Sequence, residues 1–256
     1  MRLNIMYNTM KVQEKQTPSL YPHVSVDCVL LSIVNAKLCV LLVERKDENQ
    51  VSMGYKLPGN LIYKDEGLDA AAARVLYETT SLKKVALTQF RSFGSLSRTQ
   101  NKEDVKWLEN ASRLKIERII TIAYMALCKM KGLRSTLKNT TTTWYPVADL
   151  PTLPFDHAEI ICEAVKEIRL LIEREPLILF DYMPLRFTAY QLRRAYEIIY
   201  NKTLDVRNFH KKMAGMKYII LTDEMEEDVA HRAARYYKFD KVQYNRMHSR
   251  FGNGKK

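Results

Sequence analysis

Apolar positions along this chain follow two different periods, and the switch between them marks out the elements. Residues 23–34 form an almost unbroken run rich in β-branched side chains, and 37–44 repeat it around Leu38-Cys39-Val40-Leu41-Leu42-Val43. Two such runs predict paired strands, joined at the Asn35-Ala36 step by a hairpin turn. A polar loop is expected over 46–54 and a chain reversal at Leu57-Pro58-Gly59-Asn60. The period then becomes helical. Leu68, Ala71, Ala72, Val75, Leu76 and Thr79 share one face, so 68–80 reads as an amphipathic helix with Gly67 at its N-cap and Asp69 in its first turn. Residues 99–114 are polar and read as an insertion with a short helix around Trp107. Residues 119–127 read as a core strand, 133–143 as a loop rich in Lys and Thr, and 144–147 as a short strand.

The next helix is expected over 156–174. Asp156 stands at its N-cap with Glu159 three residues on, the spacing of a capping box. Its apolar positions (Ile160, Ile161, Ala164, Val165, Ile168, Leu171, Ile172) span a face too wide for a single contact. That width predicts packing on two sides: a link between two domains and a candidate dimer surface, although a plain packing helix fits the pattern equally. Glu175-Pro176 ends the helix, because the residue before proline avoids the helical region.

Beyond Pro184 two helices are predicted in quick succession. Thr188 and Gln191 make a capping box, and Leu192, Ala195, Tyr196 and Ile199 form the buried face of a helix ending near Tyr200. After a turn over 201–204, Asp205 caps a second helix, with Leu204 and Phe209 as its hydrophobic staple. The exposed positions of this second helix are Arg207, Asn208, His210, Lys211 and Lys212. Arg and Asn can pair bidentately with guanine and adenine edges, and Lys neutralises phosphate. The pattern is that of a helix-turn-helix, and also of an ordinary basic pair of helices. Strand-like runs at 218–222 and 235–240 enclose a polar loop, 223–231, that reads as a wing, with Arg232 on its return strand.

Charge sharpens this picture. The formal net charge is +12, which points to polyanionic partners or to a solvated basic surface. Residues 176–256 carry 16 Lys and Arg against 9 Asp and Glu, so the C-terminal third is the more basic per residue. The four cysteines form no CxxC pair; Cys28, Cys39 and Cys128 sit in apolar runs, as buried reduced thiols do. No apolar run approaches the roughly 20 residues that span a bilayer, and the N-terminus lacks the pattern of a signal peptide, so a cytoplasmic location with no membrane partner is expected.

One stretch carries chemistry. Residues 58–82 (PGNLIYKDEGLDAAAARVLYETTSL) resemble the Nudix box, G-x5-E-x7-R-E-U-x-E-E-x-G-U with U apolar. From Asn60 to Leu82 the two align without a gap. Glu66, Arg74, Leu76, Glu78 and Leu82 match; Asn60, Val75, Thr79 and Ser81 do not. The resemblance implies a helix that presents carboxylates at i, i+3 and i+4 to hold Mg²⁺ against a diphosphate, since hard cations need several anionic oxygens at once. Here those positions are Val75, Glu78 and Thr79, which leaves one carboxylate. Neither a catalytic residue, a metal nor a cofactor is therefore expected. The survivors Glu66, Arg74 and Glu78 read as remnants: a residual ligand pocket, or simply an i, i+4 ion pair and a helix N-terminal anion.

The order of motifs extends the resemblance. The Nudix box, Phe155-Asp156-His157, RFTAYQL (186–192), DVRNFHKK (205–212) and RAARYYKF (232–239) together are similar to the Nudix-related transcriptional regulators, among them NAD-metabolism repressors and arabinose-responsive regulators. The acidic wing (Glu224, Glu226, Glu227, Asp228) and Ala233 depart from that pattern. Residues 1–20 are polar and unpatterned and read as a mobile tail. The resemblance implies an α+β chain: a Nudix α/β/α sandwich that senses an effector (21–155), a linker helix (156–175) and a winged helix-turn-helix (176–245), followed by a basic tail (246–256). It implies a homodimer on palindromic double-stranded DNA, controlled by a sugar or nucleotide-derived effector. Loss of the metal positions favours a diphosphate-independent ligand such as a pentose. The competing readings are a Nudix hydrolase of nucleoside diphosphate-linked substrates with an appended nucleic-acid module, and a pure sensor or adaptor that has lost both activities.

Overall fold

The computed structural model describes residues 19–129, 141–227 and 233–252, with backbone alone for 248–252. Strands β1 (Leu20–Val34) and β2 (Lys37–Lys46) pair antiparallel through a turn in which both Asn35 (φ 49°) and Ala36 (φ 58°) are left-handed. That geometry matches the twist of a tight hairpin, at a conformational cost for Ala36. The first half of β1 pairs with β4 (Gly59–Tyr63), and its other edge runs parallel to β6 (Ile120–Leu127). β5 (Thr88–Phe93) borders β6, and β2 also takes β3 (Ser52–Lys56) and β7 (Thr142–Pro146). Among the described residues these seven strands form one mixed sheet.

The two-residue period of β1 decides which helix lies on which face. Val26, Cys28 and Leu30 meet helix α1 (Leu68–Thr80) through Ala71, Ala72, Val75 and Leu76. Val29 and Leu31 point the other way, into a cluster with Ile160, Ile161, Ala164, Val165 and Ile168 of a long helix. Helix α2 (Lys102–Ser112) and the 3-10 turn Leu96–Thr99 lie between β5 and β6 in sequence. The long helix is α3 (His157–Arg174), so the first domain is the expected helix–sheet–helix sandwich.

From α3 the same apolar cluster continues into the C-terminal module, through Ile172, Leu179, Phe180, Phe187, Leu192, Ile199, Phe209 and Met213. That module comprises α4 (Leu177–Tyr182), β8 (Arg186–Thr188), α5 (Ala189–Tyr200), α6 (Val206–Ala214), β9 (Ile219–Met225), β10 (Arg235–Phe239) and α7 (Lys241–Gly252). Its sheet has the order β8-β10-β9, and Phe180 of α4 stacks on Phe239 of β10 at 4.6 Å. Two helices joined by a short turn and followed by a β-ribbon make a winged helix.

Several expectations change. The loop over 46–54 ends in β3, the reversal at 57–60 already opens β4, and β5 and α4 carry too few periodic residues to be read in advance. The expected helix around Trp107 is present as α2 and takes up most of the polar insertion. Most of the loop at 133–143 lies outside the described residues, while Thr142 and Thr143 belong to β7. The basic tail begins inside a helix, since α7 crosses residue 246. Asp156 makes no capping hydrogen bond; its carboxylate is drawn to Arg98 instead. The wide face of α3 is covered within the chain, with Ile160 and Ile161 buried on the first domain's side and Ile172 beside the C-terminal module. Much of that face therefore serves to join the two domains.

Gly59 shows how closely β1 and β4 approach. A Cβ there would stand 1.9 Å from Asp27 Oδ1 and 3.0 Å from the Val26 carbonyl. Gly59→Ala is expected to lower unfolding free energy by about 1–3 kcal/mol, the usual range for overpacking. Urea denaturation of the full chain measures it, and an unchanged midpoint would show that Asp27 has room to move.

Candidate functional site

The Nudix-like box is intact as a structure. Glu66 precedes α1 and accepts from Arg74 twice, at 2.9 Å and 2.5 Å, and from the Tyr63 N–H at 2.7 Å. Arg74 also donates to Glu78 at 2.9 Å and to the Leu61 carbonyl at 3.2 Å, with its guanidinium 4.0 Å from the Tyr63 ring centroid. One cation thus gathers both surviving carboxylates. The Arg74 hydrogen bonds hold Glu66 below the usual carboxylate range. Val75 is fully buried in the α1 cluster, and the Thr79 hydroxyl donates back to the Val75 carbonyl at 2.7 Å. A Mg²⁺ ion would find one half-exposed carboxylate, Glu78, already engaged by Arg74; this donor set does not fit a divalent cation. Among the described residues no group of three His, Cys, Asp or Glu could hold a metal ion.

A second constellation lies on the opposite face of the sheet. Asp27 stands in the middle of the apolar β1 and is buried. It accepts from the Thr121 hydroxyl at 2.7 Å and from Arg98 at 3.0 Å, and His157 Nε2 lies 3.6 Å away. Arg98, buried on the 3-10 turn, bridges Asp27 to Asp156 at the start of α3. The Leu57 N–H donates to His157 Nδ1 at 3.2 Å, so the neutral ring carries its proton on Nε2, toward Asp27. Above this cluster, Asp104 of α2 accepts from Arg45 at 2.5 Å and from the Phe155 N–H at 3.1 Å. Trp107 lies under Arg45 (5.3 Å) and Lys56 (5.8 Å). Phe155 has a left-handed backbone (φ 53°), a strained state for a bulky residue.

Burial sets the charges here. Desolvation lowers His157 to about 4 and Lys56 to about 8, in both cases against the pull of Asp27. Burial disfavours the Asp27 anion, yet His157, Arg98 and the Thr121 hydroxyl together hold its carboxyl below the usual range. Sequence reasoning singled out the Phe155-Asp156-His157 step but missed Asp27 and Arg98 as its partners. A lone carboxylate inside the apolar run VSVDCVLL was the available signal.

The C-terminal module presents the predicted basic helix. The capping box of Thr188 and Gln191 is complete on α5, and Asp205 caps α6 through the Asn208 N–H at 2.8 Å. Phe209 and Met213 anchor α6 inward, leaving Arg207, Asn208, His210, Lys211 and Lys212 exposed. Helical spacing puts Arg207 and Lys211 on the outward line, Asn208 and Lys212 along one flank and His210 on the other. The Lys212 ammonium sits 4.5 Å from the Tyr196 ring, where burial and Lys202 lower its pKa. The turn between α5 and α6 is held by buried Glu197, which accepts from Arg193 (2.6 Å), Arg194 (2.7 Å) and the Leu204 N–H (3.0 Å). Arg232 lies outside the described residues. On the wing, Glu224 pairs with Arg186 of β8.

Comparison with known proteins agrees with this division. The profile of the NUDIX domain matches residues 21–164, and that of the NrtR DNA-binding winged helix domain matches 179–239. The chain is 26% identical over 238 residues to the ADPR responsive transcriptional repressor NtrR of Acinetobacter baylyi, covering 91% of this chain and 87% of that protein. Shewanella oneidensis NrtR complexed with a 27mer DNA has the same fold, with a TM-score of 0.63 at 23% identity, covering 84% of this chain and 93% of that one. A MutT/nudix family protein from Enterococcus faecalis gives 0.60 at 20% identity, covering 89% and 90%.

The buried histidine makes stability depend on pH. Its folded pKa of about 4 lies below the ordinary histidine value of 6.5. Between the two the unfolded chain binds the extra proton, so stability is full above about pH 6.5 and is lost as pH falls toward 4. Unfolding free energy is expected to drop by a few kcal/mol over that window, at a slope of about 1.4 kcal/mol per pH unit. His157→Gln should flatten the dependence; an equally steep profile in that variant would assign the loss to other groups.

Proposed function

The chain belongs to the Nudix family, and we propose that it is a ligand-responsive transcriptional regulator whose Nudix domain senses an effector instead of hydrolysing it. The observation that carries this reading is the fate of the metal positions: Val75 is core, Thr79 is bonded to its own helix, and Glu66 and Glu78 are held by Arg74. A winged helix of the NrtR type follows on the same chain, joined by a continuous apolar core. The similarity to the Acinetobacter baylyi repressor, which is ADPR responsive, supports the nucleotide arm of the effector reading over a pentose. ADP-ribose is therefore the first effector to test. Palindromic operators demand a two-fold symmetric reader, which supports a homodimer.

The test uses purified full chain, a labelled palindromic DNA selected from random sequence, and ADP-ribose. Two chains should bind per palindrome, and ADP-ribose should shift the DNA affinity. With Mg²⁺ or Mn²⁺ present, turnover of ADP-ribose should stay well below about 1 s⁻¹, the low end of ordinary enzyme rates. Turnover at that rate or faster would favour the hydrolase reading instead.

Within the reader, Arg207 and Asn208 are assigned to base edges in the major groove, and Lys211 and Lys212 to phosphates, with His210 on the flank and Arg232 as a backbone or minor-groove contact. The exposed N-terminal half of α6 supports the first pair. Lys212 must leave the Tyr196 ring to reach a phosphate. Arg207→Ala or Asn208→Ala should cost roughly 1–3 kcal/mol on the specific site and relax base preference there. Lys212→Ala should weaken specific and non-specific DNA alike and lower the salt slope by about one. Wild-type affinity in all three variants would move the DNA to another surface.

A further inference from the structure

Where the reading head meets the Nudix domain, the molecule holds a groove of about 710 Å³ that neither the box remnant nor the outward face of α6 uses. Its volume falls within the roughly 300–1,000 Å³ of small-molecule sites. The floor is apolar, formed by Leu38, Val147, Leu150, Ile161 and Val165. The rim is cationic. Lys37 comes from the start of β2, Lys166 and Arg169 from α3, Arg194 from α5, and Lys202 from the turn before α6.

Against these five cations the lining has two carboxylates, Asp149 and Glu197. Glu197 brings no uncompensated charge, being bonded to Arg193, Arg194 and the Leu204 N–H. Lys166 pairs with Glu163, one turn back on α3, at 2.6 Å. The charge of the groove therefore rests on Lys37, Arg169 and Lys202, with the Asp149 carboxylate offsetting one of the three. Arg169 donates to a neutral acceptor, the Ile199 carbonyl, at 2.8 Å, so its charge is not cancelled there. Lys37 is exposed at the hairpin, and Lys202 rests 5.1 Å from the Tyr200 ring. Cations drawn from three segments onto one cleft repel one another, and low-dielectric walls focus their field. A bound anion would offset that repulsion.

We propose that this inter-domain groove binds a small organic phosphate, with the phosphate at the cationic rim and the organic part on the apolar floor. The proposal rests on none of the reading above. Because the groove's walls come from both domains, an occupant bridges the Nudix sheet, the linker helix and the helix-turn-helix.

Isothermal titration calorimetry on the full chain tests this, with ribose 5-phosphate, pyrophosphate and ribose as probes. Ribose 5-phosphate should bind saturably at one site per chain, pyrophosphate should compete with it, and ribose should not bind there. Lys37→Glu and Lys202→Glu should each weaken ribose 5-phosphate about tenfold, as expected for loss of a charged contact. Lys115→Glu, the same charge change at a residue 85% exposed elsewhere, should have no effect. Unchanged urea midpoints would show that the variants fold, and the milder Lys37→Gln should lose less than Lys37→Glu. The proposal is overturned by absence of saturable binding to wild type, by equal weakening in Lys115→Glu, or by unchanged binding in both groove variants. It is overturned equally if these variants lose DNA affinity while wild type shows no phosphate binding, which would make the rim part of the DNA surface.

Discussion

The fold hangs on a buried guanidinium. Arg98 bridges a carboxylate in the central strand, Asp27, to one at the start of the linker helix, Asp156. Removing these charges from water is costly, so the cluster adds less net stability than its short contacts suggest. Its value is positional. Each charge would be left uncompensated if α3 shifted along the sheet, and a lone buried charge is strongly disfavoured. His157 adds a neutral contact to the Leu57 N–H, beside the loop that opens β4. Gly59 allows Asp27 to come this close. The start of α3 is thus tied to the same strands that lead into the box.

The box itself has changed material while keeping its shape. Arg74 draws together Glu66, Glu78, the Leu61 carbonyl and the Tyr63 ring. These contacts fasten the β4–α1 junction from inside, a task compatible with the loss of carboxylates at 75 and 79. Val75 then adds apolar area to the sheet contact where a metal ligand would have faced solvent.

From α3 onward, packing carries the geometry. One apolar cluster runs from Val29 and Leu31 through Ile168 and Ile172 to Phe209 and Met213 behind the basic helix. Close-packed protein interiors transmit strain. Glu197 holds the turn that leads into α6, and Arg186 offsets part of the wing's acidity through Glu224. The acidic wing is therefore less repulsive to phosphate than its sequence alone suggests.

Local patterns were legible wherever neighbours in sequence are neighbours in space. The helix at 68–80, the capping box at Thr188 and the cap at Asp205 depend on contacts within four residues, which the sequence displays directly. The replaced box positions, Val75 and Thr79, were likewise readable, because one helix face holds them all. Elements with short or broken patterns were not: β3, β5, α4 and the helical start of the tail acquire their structure from partners elsewhere. Asp156 looked like a capping residue until the fold brought Arg98, 58 residues away, against it. The broad face of α3 is shared between the first domain's sheet and the C-terminal module, a division that its own pattern does not specify. Asp27, Arg98 and His157 are 71 and 59 positions apart along the chain, and only the crossing of β1, the 3-10 turn and α3 makes them one site. Burial and charge pairing depend on that crossing, and no local period encodes it.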